Sequence, residues 1–190
     1  MPQSQVLKQL HKAHRPLDQT SVLAIEAATS MISPVTSSLH ALKFGSVSVL
    51  LSSDHAWQRL LADPALKPDL ILIDWHVHPT PCEQFLRRLR RFDSPQLAET
   101  PVICLIANAD QDTVCAARDA GANAVLARPF SPKQLGEKVL WVLEHDVDFI
   151  RSEGYVGPDR RHFRSSPYRG KERRRSNQYR QAADNNRTPA

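Results

Sequence analysis

Two acidic residues stand at the ends of short apolar segments, where a functional carboxylate could act on a bound ligand. Asp74 closes the run D-L-I-L-I-D, and Glu26 closes T-S-V-L-A-I-E. A continuous apolar run of this length is typical of a buried strand in a parallel sheet. Ligands of open α/β sheets bind at the carboxyl ends of the strands, which is where both acids are placed. An acid there can equally serve only to begin a loop or to cap the next helix.

The segments around these acids alternate between strand and helix patterns. Strands are predicted over residues 20–26, 46–51, 69–74, 101–106 and 124–127. Helices are predicted over residues 29–44, 81–92 and 110–120, and two more are predicted after Ser53, running to Leu61, and after Ser131, running to Leu143. Gly45 and Gly121 are expected to end two of the helices, and Ser131 is expected to cap the last one. This alternation predicts an α/β fold in which a parallel sheet lies between two layers of helices.

Length and composition favour one domain with extensions in a reducing compartment. The 190 residues fit a domain of usual size plus extensions, and residues 1–19 form a short polar lead. The three cysteines, Cys82, Cys104 and Cys115, form no C-x-x-C pair and no zinc pattern. No signal-peptide segment is visible at the N-terminus, and no apolar run is long enough to span a bilayer. We therefore expect a cytoplasmic protein without a membrane span.

The C-terminal part of the chain is strongly basic and repeats a short pattern. Residues 1–150 contain 14 Lys/Arg and 16 Asp/Glu, whereas residues 151–190 contain 11 and 4, so their net charges are −2 and +7. The tail, residues 147–190, has too few apolar side chains to offset the entropy of ordering, and we expect it to be disordered by itself. The pattern Tyr-x-Gly-x-acid-Arg-Arg begins at Tyr155 and again at Tyr168.

The repeated pattern suits the binding of an anionic, planar ligand. Guanidinium groups bind phosphate through paired hydrogen bonds and stack on bases, and tyrosine rings provide further stacking faces. The predicted anion-binding residues are Tyr155, Arg160, Arg161, Tyr168, Arg173 and Arg174. A nucleotide or a single-stranded nucleic acid is one predicted ligand. The alternative is a non-specific attraction of any polyanion, with a strongly salt-dependent affinity.

Four motifs along the chain are similar to those of one protein family. They are P-D-L-I-L-I-D-W (68–75), Q-F-L-R-R-L-R (84–90), T-P-V-I-C-L-I-A (100–107) and A-G-A-N-A-V-L-A-R-P-F-S-P (120–132). Together with the order of elements, they resemble the receiver domain of two-component response regulators, the CheY-like fold, over about residues 20–146. The resemblance implies a doubly wound, five-stranded parallel sheet with strand order 2-1-3-4-5.

The resemblance also implies roles for three residues. Asp74 takes the place of the acid that accepts a phosphoryl group from a histidine kinase or a phosphotransfer protein. Glu26 and Asp74 take the place of ligands to Mg²⁺, a cation that prefers hard oxygen donors. Arg128 takes the place of the invariant lysine of the phosphate pocket, and it keeps the charge but changes the geometry and reach.

Three other positions depart from the family pattern. Ala27 stands where a second acid is usual, Ile106 replaces the hydroxyl residue that binds the phosphoryl group, and Val125 replaces the aromatic switch residue. An isoleucine cannot donate the hydrogen bond that the hydroxyl supplies. We therefore predict a degenerate receiver, whose three pocket residues form a structural ion pair, a weak Mg²⁺ site or a slow phosphorylation site.

The expected function is that of a stand-alone signalling adaptor rather than an enzyme. No helix-turn-helix pattern follows the receiver-like segment, and no Gly-rich phosphate loop or nucleophile motif is visible. The predicted output is contact with a downstream protein through residues 108–146. An alternative from another class is a second-messenger effector, since the arginine-rich tail resembles the C-terminal extension of CheY-like proteins that bind cyclic di-GMP.

Overall fold

Strands and helices alternate along the chain as the sequence predicts. The computed structural model describes residues 16–63, 66–145 and 147–163. The first five strands are β1 (Ser21–Ile25), β2 (Ser46–Leu50), β3 (Leu70–Asp74), β4 (Val102–Ile106) and β5 (Ala124–Ala127). The longer helices are α1 (Thr29–Ala41), α2 (Ser53–Ala62), α3 (Cys82–Arg90), α4 (Gln111–Ala120) and α5 (Pro132–Glu144). Short helical segments lie at Leu17–Gln19, Pro95–Ala98 and Arg160–Phe163. No helix among the described residues is long and apolar enough to cross a membrane.

The five strands form one parallel sheet in the order β2-β1-β3-β4-β5, which confirms the predicted topology. In the register of the sheet, Ile73 pairs with Ile25 on one side and with Cys104 on the other. Every residue of the two central strands β3 and β4 is buried, whereas the edge strand β2 is partly exposed. Central strands of a parallel sheet are covered on both faces, and this explains their unbroken apolar runs.

Each face of the sheet has its own apolar core because alternate strand residues point to opposite sides. In β3, Ile71 and Ile73 pack into the core under α2, α3 and α4, while Leu70 and Leu72 pack into the core under α1 and α5. The larger side chains that the helices contribute are Trp57, Leu60, Phe85, Leu86 and Leu89 on the first face and Val35, Leu39, Leu135 and Val139 on the second.

Side-chain caps fix where three of the helices begin. The Ser52 hydroxyl accepts a hydrogen bond from the backbone N–H of the third helical residue of α2, and Asp110 does the same for α4. Ser131 and Gln134 bond each other's backbone N–H groups in a capping box at the start of α5, as predicted for Ser131. Gly121 ends α4 as predicted, with a φ of 106°, a conformation that favours glycine.

The end of α1 differs from the prediction, which placed it just before Gly45. The helix ends at Ala41, and Lys43 takes a positive φ of 61°. Gly45 instead serves a close approach to the segment before β1, since a Cβ added there would lie 2.0 Å from the Asp18 carbonyl oxygen. Its N–H donates to the Leu17 carbonyl at 2.9 Å.

The prediction that the chain is disordered from residue 147 is wrong for the first part of the tail. An antiparallel hairpin is formed by β6 (Phe149–Ser152) and β7 (Tyr155–Pro158), and β7 contacts α3. The compact unit therefore runs to Arg160 instead of ending at residue 146. Strands of four residues are too short to show a clear period, so tertiary contacts rather than local pattern decide this hairpin.

Arg90 is buried in α3, although arginine side chains on a helix usually face solvent. Its side chain is fully buried and donates hydrogen bonds to the carbonyls of Gly121, Ala98 and Thr100 and to the Asn123 side chain, at 2.7–2.9 Å. Burial lowers the pKa of Arg90 to about 10. Neutral acceptors thus replace the water that a buried guanidinium loses. A signal was present, because Arg90 follows the buried Leu86 by four residues, one helical turn.

Candidate functional site

The three predicted pocket residues lie at the carboxyl edge of the sheet. Asp74 is the last residue of β3, Glu26 directly follows β1, and Arg128 directly follows β5. Because β1 and β3 are neighbouring parallel strands, their ends bring the two acids side by side. Arg128 starts two strands away from Asp74 and donates its backbone N–H to the Ile106 carbonyl at the end of β4, at 2.8 Å. Its long side chain covers the remaining distance.

The guanidinium of Arg128 bonds both carboxylates. Its Nη2 donates a short hydrogen bond to Oε2 of Glu26, and its Nη1 lies 3.4 Å from Oε1 of the same residue. The same Nη1 lies 3.4 Å from Oδ2 of Asp74. The structure therefore brings together all three residues that the sequence placed in the pocket, in the form of one ion-pair cluster. We call Glu26, Asp74 and Arg128 the carboxylate–arginine cluster.

Backbone N–H groups hold the two carboxylates in position. Oε1 of Glu26 accepts a hydrogen bond from Ala28 at 3.1 Å. Oδ1 of Asp74 accepts one from His76 at 3.0 Å. Each carboxylate thus has one backbone donor from the loop that follows its strand, together with the shared guanidinium. These bonds fix the direction of both side chains toward the arginine.

The cluster is almost completely withdrawn from solvent. The exposed fractions of the Glu26, Asp74 and Arg128 side chains are 2%, 7% and 13%. Burial raises the pKa of Glu26 above its ordinary value, the hydrogen bond from Arg128 opposes this, and the nearby Asp74 carboxyl adds to it. Nε of Arg128 is buried without a hydrogen-bond partner among the described residues. Since one guanidinium faces two acids, the cluster carries one net negative charge when both acids are ionised.

The groups that usually complete a phosphoryl pocket are replaced by apolar side chains. Ile106, at the predicted hydroxyl position, is fully buried in the core under α2, α3 and α4. Val125, at the predicted aromatic position, is partly buried against the same core. Neither side chain can donate a hydrogen bond or carry charge. These two positions therefore contribute nothing to binding an added phosphoryl group.

The residues at this edge fit Mg²⁺ poorly. Mg²⁺ requires near-octahedral coordination by oxygen, and the Arg128 guanidinium already bonds the carboxylates of Glu26 and Asp74. Ala27 has no side-chain oxygen, so a second acid is missing from this loop. Among the described residues, no group of three or more His, Cys, Asp and Glu side chains is placed to hold a metal ion. Mg²⁺ binding by Glu26 and Asp74 stays a prediction, and it would require Arg128 to move.

The tail residues predicted to bind anions are used differently where the structure describes them. Tyr155 is buried, and its hydroxyl donates to the Pro158 carbonyl at 2.7 Å. The Arg160 guanidinium lies 4.3 Å from the centre of the Tyr155 ring and forms an ion pair with Asp119 at 2.9 Å. The prediction of Tyr155 as an open stacking face is therefore wrong, because its ring packs within the hairpin. Arg161 is exposed. Tyr168, Arg173 and Arg174 lie outside the described residues.

Comparison with known proteins identifies the family to which this chain belongs. A family model described as the response regulator receiver domain matches residues 22–140. The chain belongs to the response regulator receiver family. Among curated relatives of this receiver, the phosphate regulon transcriptional regulatory protein PhoB of Pseudomonas aeruginosa is 35% identical over 77 residues, which are 40% of this chain and 33% of PhoB. PhoB of Escherichia coli is 32% identical over 76 residues, which are 40% of this chain and 32% of PhoB.

Solved structures support the same fold for this receiver. The chemotaxis response regulator CheY4 of Vibrio cholerae is 20% identical with a TM-score of 0.59, over 65% of this chain and 98% of CheY4. A CheY-like receiver domain protein from Methanospirillum hungatei is 16% identical with a TM-score of 0.57, over 66% of this chain and 94% of that one. The receiver spans about a third of the length of the curated relatives it matches, so their whole-protein activities do not transfer to it directly.

Proposed function

We propose that this receiver signals by protein contact and that its pocket does not run the usual Mg²⁺-dependent phosphorylation switch. The observation that carries the proposal is the position of the Arg128 guanidinium on both Glu26 and Asp74. It occupies the space between the carboxylates in which a metal ion would have to bind. Membership of the receiver family implies a role in two-component signalling. The degenerate pocket is our additional proposal.

Charge and hydrogen bonding both disfavour a stable phosphoryl group on Asp74. Phosphorylation replaces the single carboxylate charge by a phosphoryl group with up to two negative charges, beside the buried Glu26. A divalent cation normally offsets such charge on phosphoryl oxygens, whereas Arg128 supplies a single positive charge. Ile106 cannot donate the hydrogen bond that would orient the group. The phosphorylated state of this pocket is therefore expected to be both hard to form and weakly coupled to the rest of the domain.

The proposed output is binding to a downstream protein through α4, β5 and α5, within residues 108–146. We propose that a histidine kinase or phosphotransfer protein remains a partner of this receiver, recognised by its fold, and that the receiver itself acts by binding rather than catalysis. Binding of cyclic di-GMP is disfavoured, because the Arg160 guanidinium already lies over the Tyr155 ring and forms an ion pair with Asp119 within the compact unit. No observation on the described residues favours that ligand.

Intact mass spectrometry tests the proposal. The full chain is treated with acetyl phosphate and Mg²⁺, and the expected result is no stoichiometric gain of a phosphoryl group. A gain of one group that is lost in Asp74→Asn would contradict the proposal. The matched control is the triple variant Ala27→Asp/Ile106→Thr/Arg128→Lys, which restores the second acid, the hydroxyl and the lysine. It is expected to gain one phosphoryl group, and this gain shows that the reagent and the fold are competent.

A further inference from the structure

A basic groove lies on the surface between α2 and α3, outside the carboxylate–arginine cluster. It has a volume of about 400 Å³, and its lining residues are Trp57, Leu61, Arg87, Arg88, Arg91, Phe92 and Asp93. We call it the α2–α3 groove. Neither the phosphoryl pocket nor the predicted docking face at residues 108–146 includes any of these residues. The groove is therefore a separate surface that could have a binding role of its own.

The groove has an excess of positive charge. Three guanidinium groups line it, against the single carboxylate of Asp93. Arg87 shares its charge with Glu83 through hydrogen bonds of 3.1 and 2.9 Å. The exposed Arg91 side chain has no hydrogen-bond or ion-pair partner within the part of the chain that the structure describes. Arg88 is held over an aromatic ring instead of an acid. Two of the three guanidinium groups are thus available to an anion.

Apolar surface lies between these charges. Leu61 is 49% exposed, and it is one of two large hydrophobic side chains exposed to this degree among the described residues. The Arg88 guanidinium lies 4.1 Å from the centre of the Trp57 ring, which packs edge-on against Phe92 at 5.6 Å. Trp57 Nε1 is buried, and no hydrogen-bond partner for it lies among the described residues. Exposed apolar surface and cationic groups therefore line the same groove.

We propose that the α2–α3 groove binds an acidic segment of a partner protein that carries an aliphatic side chain beside its carboxylates. Guanidinium groups pair with carboxylates through two parallel hydrogen bonds, and Arg88 and Arg91 are placed to provide them. The exposed Leu61 and the partly buried Phe92 provide contact area for the aliphatic side chain. The groove is open to solvent. An open groove suits a peptide segment better than a small molecule, which usually binds in an enclosed cavity.

Peptide selection followed by charge reversal tests this proposal. A random dodecapeptide library displayed on phage is selected on the full chain, and the leading peptide is made with a fluorescein label. The expected peptides contain several acidic residues and at least one aliphatic residue. Binding is measured by fluorescence anisotropy at about 0.15 M salt, where weak surface attraction is screened. The peptide is expected to bind Arg88→Glu/Arg91→Glu at least about tenfold more weakly than the wild type. This corresponds to a loss of about 1.4 kcal/mol in binding free energy.

The control reverses two charges elsewhere on the surface. Lys67→Glu/Lys133→Glu makes the same change in net charge at exposed positions and is expected to bind the peptide as the wild type does. The variant Leu61→Ser keeps all three arginines and is expected to weaken binding to a similar extent as the arginine reversal. It also serves if the arginine variant proves unfolded by circular dichroism.

Several outcomes would overturn the inference. A selection that enriches no acidic sequence would do so, as would equal binding to the wild type and to both groove variants. An equal loss of peptide affinity in the Lys67→Glu/Lys133→Glu control would show that binding depends only on the net charge of the protein. A single-stranded oligonucleotide that binds the same arginines more tightly than the peptide would indicate that the partner is a nucleic acid rather than a protein. These results are independent of whether Asp74 is phosphorylated.

Discussion

The Arg128 guanidinium hydrogen-bonds Glu26, a residue 102 positions earlier in the chain, and so joins the end of β5 to the end of β1. The same group lies 3.4 Å from Asp74 at the end of β3. A single side chain thus connects three strands of the sheet at the edge where receivers carry out their chemistry. Both the stability of this edge and its response to cations are expected to depend on that one residue.

Removing the charge of Arg128 is expected to destabilise the fold. In Arg128→Met, two buried carboxylates lose the only arginine or lysine side chain that pairs with them among the described residues. Loss of one partner from a buried ion pair typically costs about 3–5 kcal/mol, and we expect a loss near the lower end because the arginine is slightly exposed. Urea unfolding measures the change. The control Arg128→Lys keeps the charge and is expected to lose less; an Arg128→Met variant as stable as the wild type would show that the ion pair contributes nothing.

The stability of the fold is expected to depend on pH through Glu26. The folded-state pKa of Glu26 lies above its ordinary value of 4.5, chiefly because of burial. The folded state therefore binds this proton more tightly than the unfolded state does, and the contribution of Glu26 to stability falls as pH rises from 4.5 through the folded-state pKa. The free energy of unfolding of the wild type minus that of Glu26→Gln should decrease across this window.

Chemical unfolding at a series of pH values measures that difference. Glu137→Gln, which removes an exposed carboxylate on α5, is the matched control for the loss of one acid. A difference between the wild type and Glu26→Gln that rises with pH would show that the ion pair with Arg128 outweighs burial.

Metal and phosphoryl mimics are expected to leave the pocket unchanged. Trp75 directly follows Asp74 and is partly buried, so its fluorescence reports on the pocket. In a variant that lacks Trp57 and Trp141, titration with Mg²⁺ and then beryllofluoride should give a flat trace, because Arg128 occupies the space between the acids. A saturable change that disappears in Asp74→Asn would instead identify a working receiver pocket.

Arg90 is expected to be the arginine of α3 on which folding depends. Arg90→Met leaves three buried carbonyl oxygens without their donor, while Oδ1 of Asn123 keeps its hydrogen bond from the Val102 backbone N–H. Each unsatisfied buried group costs about 1–3 kcal/mol, so a total loss of about 3 kcal/mol or more is expected in urea unfolding. The exposed neighbour Arg91 provides the control, and Arg91→Met should change the stability by less than about 0.5 kcal/mol. Similar losses in both variants would contradict the structural role of Arg90.

The hairpin is expected to be stabilised by its tyrosine. Tyr155→Ala removes a buried ring that packs under Arg160, and we expect a loss of about 3 kcal/mol, the lower range for removing a large aromatic side chain. Tyr155→Phe keeps the ring and loses only the hydrogen bond to Pro158, at a cost of about 1 kcal/mol. Thermal unfolding of the full chain separates the two variants. An unchanged midpoint for Tyr155→Ala would mean that the hairpin adds nothing to the stability of the compact unit.

Much of the fold could be predicted because its signals are local. The apolar run that ends at Asp74, the cap at Ser131 and the left-handed stop at Gly121 each act within one turn or strand. The end of α1 was missed by three residues because Lys43, which no glycine rule would select, takes the positive φ. The hairpin was missed because its four-residue strands have no period, and its stability depends on where α3 lies.

The sequence by itself determined the order of the strands and helices, the family, and the placement of Asp74 and Glu26 at the edge of the sheet, since strand polarity puts carboxyl ends together. Only the tertiary structure decided that Arg128 bonds both acids and that Arg90 is buried. Those contacts join residues 102 and 31 positions apart, respectively. A guanidinium in the sequence can face water, an acid or a row of carbonyls. Which of these it meets depends on how distant segments pack, and no local pattern carries that information.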